Sequence, residues 1–63
     1  MNYKQQQIKQ YEATIKRFQR EAKELAIRAS RESNVSNKFT LQEHAKQLLL
    51  QAGTIRKRIT EIE

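Results

Sequence analysis

The stretch Ile8–Ala29, IKQYEATIKRFQREAKELAIRA, decides the fold. Every third or fourth residue in it is apolar: Ile8, Tyr11, Ile15, Phe18, Ala22, Leu25, Ala29. The gaps alternate three and four without a break. That is a heptad seam, the pattern of a helix that buries one narrow stripe against another helix. The spacing predicts a first helix over about residues 3–31. Asn2 stands where an N-cap is expected, with Gln5 placed to complete a weak capping box. Glu12 precedes Lys16 by four residues and Glu24 precedes Arg28 by four, a spacing that lends a helix a few tenths of a kcal/mol per pair.

The partner for this seam lies further along the chain. Leu41, Ala45, Leu48, Ala52, Ile55, Ile59 and Ile62 form a second unbroken heptad series. Thr40-Leu41-Gln42-Glu43 reads as a T-x-x-E capping box just ahead of it, so the second helix is expected over about residues 41–62. Between the seams, Ser30, Ser33, Asn34, Ser36 and Asn37 cluster, and Ser and Asn favour turns. Residues 32–40 are therefore expected to be a loop, with Val35 and Phe39 folding back to plug the end. Gly53 falls beside the seam in mid-helix and reads as a tolerated surface residue, with a close approach of another backbone or a local kink at Thr54 as the alternative.

Two heptad helices joined by a polar loop imply an all-α fold. It is an antiparallel two-helix hairpin, coiled-coil-like, filling one domain over residues 1–63. Helix 2 is the shorter, so Met1 to Gln7 should overhang. A 63-residue chain buries little surface on its own and needs support. With no Cys, disulfides and thiolate metal sites are excluded. Association is the remaining support, and dimerisation into a four-helix bundle is expected.

The same residues limit the chemistry. There is one His and no Asp, and no Gly-rich phosphate loop, nucleophile elbow or paired-carboxylate constellation. His44 has no base–nucleophile partner at a useful spacing. The expectation is a protein that is not an enzyme, with no catalytic residues, no cofactor and no metal. No apolar run approaches the ~20 residues of a membrane span, and no signal-peptide core is present, so a cytoplasmic protein is expected and a membrane partner is disfavoured.

Two residue sets remain as candidate contact surfaces. The apolar set, Ile27, Val35, Phe39, Leu49 and Leu50, lies outside or beside the seams and is expected near the loop, as a protein interface. The basic set is Lys16, Arg17, Arg20, Arg56, Lys57 and Arg58, drawn from a chain of net charge +6. The hairpin would gather it into a belt around the open half, able to meet an acidic partner or nucleic acid. The leading expectation is a small helical regulator, adaptor or inhibitor that is a homodimer and binds another protein. The alternative is a nucleic-acid-binding regulator using the basic belt.

Overall fold

The computed structural model describes residues 2–63. Helix α1 spans Tyr3–Arg31 and helix α2 spans Val35–Ile62. They pack along their lengths as an antiparallel hairpin measuring 52 × 15 × 9 Å. The thin dimension follows from the architecture: two helices side by side form one layer, with no second layer to cover either face.

The seams meet as their spacing predicts. Every residue of both heptad series is buried or half-buried. The buried ones are Ile15, Ala22, Ala29, Ala45, Leu48 and Ala52. Ala22, Ala45 and Leu48 form the central cluster, with Phe18 and Leu25 packed against it. Four of the six buried side chains are alanines, so the core is narrow and only Ile15 and Leu48 put bulk into it. Among the described residues no polar or charged side chain is buried, so no desolvated polar group opposes the packing.

The start of α2 differs from the sequence expectation. The loop is Glu32–Asn34, not 32–40, and α2 begins at Val35 rather than Leu41. Asn34 is the cap: its Oδ1 accepts from the Asn37 N–H at 3.0 Å, and its carbonyl accepts from Lys38 N–H at 2.9 Å. Glu32 Oε1 accepts from the Asn34 N–H at 3.0 Å, which fixes the link from the other side. Glu32 and Asn34 are both extended in backbone, so the reversal needs no residue of positive φ. Thr40 is not a cap. It lies inside the helix, and its hydroxyl donates to the Ser36 carbonyl at 3.1 Å. Val35 and Phe39 do not plug the end of the bundle either; they ride on the extra turns of α2 and are exposed.

The start of α2 at Val35 has a direct test. Asn34→Ala is expected to lower stability by about 1 kcal/mol, the usual cost of a lost N-cap. Thr40→Ala is expected to leave the melting temperature unchanged or slightly raised, because Ala is the better residue in a helix interior. If thermal melts show the reverse ranking, α2 begins at Leu41 after all.

The other end of α1 also departs in detail. Asn2 sits at the N-cap position but makes no side-chain cap hydrogen bond, and the Gln6 N–H donates to its carbonyl at 3.1 Å. Of the expected Met1–Gln7 overhang, Met1 lies outside the described residues, Asn2 to Gln6 are exposed, and Gln7 is half-buried. Neither Glu12–Lys16 nor Glu24–Arg28 is formed. The ion pair among the described residues is Arg17–Glu21, at 4.0 Å and exposed, which adds little to stability. A Cβ built on Gly53 would meet nothing within 4 Å, which agrees with a surface glycine and rules out a close backbone approach within the hairpin.

Candidate interaction surfaces

The five apolar residues picked from the sequence are all exposed. Val35 is 81% exposed, Phe39 62%, Leu50 56%, Leu49 53% and Ile27 42%. All lie in residues 21–50, the half of the hairpin nearest the loop. They do not form one patch. Ile27 is two residues from both Leu25 and Ala29, so it points away from the α1 seam. Leu50 is two residues from both Leu48 and Ala52, so it points away from the α2 seam. The two therefore stand on opposite outer edges of the hairpin. Val35, Phe39 and Leu49 belong to one side of α2, because Val35, Gln42 and Leu49 recur every seven residues and Phe39 is one turn from both Val35 and Gln42.

Leu49 also borders a groove of about 530 Å³ that runs over Ala26, Ala29 and Ala45. The groove was not anticipated from the sequence. Its signal was there: alanines at consecutive layers of the seam leave the space between two helices under-filled. On the opposite face are two smaller hollows of about 280 Å³ and 270 Å³. The first is bordered by Arg28, Thr40 and Leu41. The second is bordered by Phe18, Ile55 and Arg58. Tyr3, at 78% exposure, is the large apolar residue exposed at the open end.

The basic set occupies the open half but wraps around it. Arg17 and Arg58 share one face. The Arg17 guanidinium lies 5.4 Å from the centroid of the Phe18 ring, and Arg58 borders the hollow beside that ring. Lys16 and Arg56 fall on the groove side, since Arg56 follows Leu49 by seven residues and Lys16 precedes Lys23 and Ser30 at the same interval. Arg20 and Lys57 lie on the outer edges, next to neither seam. All six are exposed. The charge is segregated along the hairpin: residues 21–50 hold five Lys or Arg and four Glu, and the remainder holds eight and three.

His44 is exposed on α2. Among the described residues no group of three His, Cys, Asp or Glu is placed to hold a metal ion, and no helix is long and apolar enough to cross a membrane. No family model, curated protein or solved structure matches the chain.

Proposed function

We propose that this chain is a non-enzymatic interaction module: a small helical regulator, adaptor or inhibitor that works in the cytoplasm as a homodimer, a four-helix bundle of two hairpins, and binds another protein. The observation that carries this reading is the exposure of Ile27, Val35, Phe39, Leu49 and Leu50 in the nearly neutral half of the hairpin, beside seams that are fully paired. Large apolar side chains gathered in one half of so small a surface mark contact with another protein. The segregation of charge favours a second reading, in which the basic open half binds nucleic acid through its phosphates.

Two variants separate the readings. Ile27→Glu/Leu50→Glu removes apolar contact at the edges, and Arg56→Ala/Lys57→Ala/Arg58→Ala removes the densest basic run. Wild type and both variants, checked for equal helicity, are used to capture partners from the native host and are titrated with duplex DNA, single-stranded DNA and structured RNA across a salt series. The protein-binding reading predicts a stoichiometric protein partner lost in the edge variant and kept in the basic one, with no nucleic-acid binding at low salt. Nucleic-acid binding that weakens steeply with salt and disappears in the basic variant supports the second reading and removes the first.

A further inference from the structure

The carboxylates of the loop-proximal half avoid the groove. Residues 21–50 hold five Lys or Arg and four Glu, a near balance that hides a sorting by face. Glu32 borders a hollow on the opposite face together with Arg28. Glu21 precedes Arg28 by seven residues and Glu24 follows Arg17 by seven, so both belong to that opposite face. Glu43 precedes Leu50 by seven and stands on the outer edge. Three of the five cations go the other way: Lys38 and Lys46 border the groove, and Lys23 precedes Ser30 on its rim by seven. They have no counter-charge. Among the described residues the ion pair is Arg17–Glu21, away from the groove. Lys38 is half-buried with no carboxylate within pairing distance.

These lysines frame an apolar trough. Ala29 at 2% exposure and Ala45 at 8% are recessed in its floor, Ala26 lies beside them, and Leu49 stands at the edge. Val35 and Phe39 are exposed on the same side of α2. A second copy would bring the same lysines and no carboxylate to this face, so the fitting occupant is a different chain. A phosphate backbone would satisfy the lysines and leave the recessed alanines uncovered. A flat bilayer surface would likewise fail to reach them. The ridge of a helix fills a trough between two helices, and an amphipathic helix laid in a groove is a recurrent mode of recognition.

We infer that the trough takes one amphipathic helix of another protein, its apolar ridge against the alanines and Leu49 and its flanks carrying Asp or Glu toward Lys23, Lys38 and Lys46. This rests on the protein-binding reading above and names the chemistry of the partner. The lysine stems add apolar cover while their charged ends meet the acidic flanks. Such rim charges select the partner and speed its docking more than they add affinity. From Lys38 to Leu49, α2 rises about 17 Å at ~1.5 Å per residue, so roughly two heptads of a partner helix span the trough.

The probes are two labelled peptides of about 14 residues, held helical by a staple on the outward side. One has a Leu ridge flanked by Glu, the other the same ridge flanked by Gln. Fluorescence anisotropy is read at physiological salt, where the screening length of about 8 Å suppresses attraction by net charge alone. The hairpin variants are Lys38→Glu/Lys46→Glu, Lys46→Glu alone at an exposed position, and Arg28→Glu/Arg31→Glu on the opposite face. The two double variants change net charge equally, and all are checked for wild-type helicity. The expected result is that the Glu-flanked peptide binds at least ten-fold tighter than the Gln-flanked one. Its affinity should fall at least ten-fold in Lys38→Glu/Lys46→Glu, fall measurably in Lys46→Glu, and hold within two-fold in Arg28→Glu/Arg31→Glu. Equal binding of the two peptides, or equal loss in the two double variants, overturns the assignment. So does a groove that ignores the peptide while an RNA hairpin or a phosphatidylserine vesicle binds through Lys38 and Lys46. A native protein partner that is lost with Ile27→Glu/Leu50→Glu and kept with Lys38→Glu/Lys46→Glu overturns it too, while the protein-binding reading stands.

Discussion

Leu48→Ala is expected to abolish cooperative folding of the hairpin. Leu48 is 7% exposed and stands in the central cluster with Ala22 and Ala45, where it is the one large buried side chain, with Phe18 and Leu25 packed against it. A buried Leu→Ala change costs about 2–5 kcal/mol. A core of this size rarely supplies more than about 3–5 kcal/mol in total. The loss therefore consumes most or all of the stability, and far-ultraviolet circular dichroism should show a broad, low-temperature melt where wild type shows a sigmoidal one. Leu50→Ala, two residues away and exposed, is the control: it should leave a cooperative melt in place. Equal melts for the two variants would mean that the α2 seam does not face α1.

Ala22→Glu is expected to be comparably damaging, for a different reason. Ala22 is 3% exposed and lies in the central cluster with Ala45 and Leu48. A carboxylate there would be out of water, and the seam residues around it offer no cation and no hydrogen-bond donor. An uncompensated buried charge costs about 3–5 kcal/mol. Ala13→Glu introduces the same residue into the same helix at an exposed position, where the change should stay within about 0.5 kcal/mol. The comparison removes helix propensity from the result, since both variants share it. Chemical denaturation of the pair measures the difference, and a gap under 1 kcal/mol would contradict the buried position of Ala22.

Both predictions depend on the seams, and the seams were legible in the sequence. An unbroken three-four spacing over two stretches fixes which side of each helix is apolar, and one chain holding both stretches fixes their pairing. The start of α2 was not legible for a physical reason. In its first turns the inward position is held by Lys38, half-buried, so the apolar period is silent there although the helix continues. Thr40 and Glu43 have the spacing of a capping box, and a spacing alone does not distinguish a cap from a Thr whose hydroxyl bonds back to the preceding turn. Asn34 prevails because Glu32 and Asn37 complete local hydrogen bonds on either side of it.

The candidate surfaces were legible as residues and less so as places. Ile27, Leu49 and Leu50 read as lying outside or beside the closed seams and are exposed, whereas Val35 and Phe39, read as a loop plugging the end, are exposed on early turns of α2 that the apolar period hides. That Ile27 and Leu50 stand on opposite edges follows from their positions midway between seam residues. The groove over Ala26, Ala29 and Ala45 emerges only when the two helices are set side by side, because it belongs to neither helix alone.

The claim that joins these observations is that the loop-proximal half of the hairpin is built for association, and sedimentation equilibrium of the unmodified chain over a wide concentration range tests it most directly. The account predicts a mass that reaches twice the 7.5 kDa of one chain. A mass that remains that of a single folded chain at every concentration would contradict it.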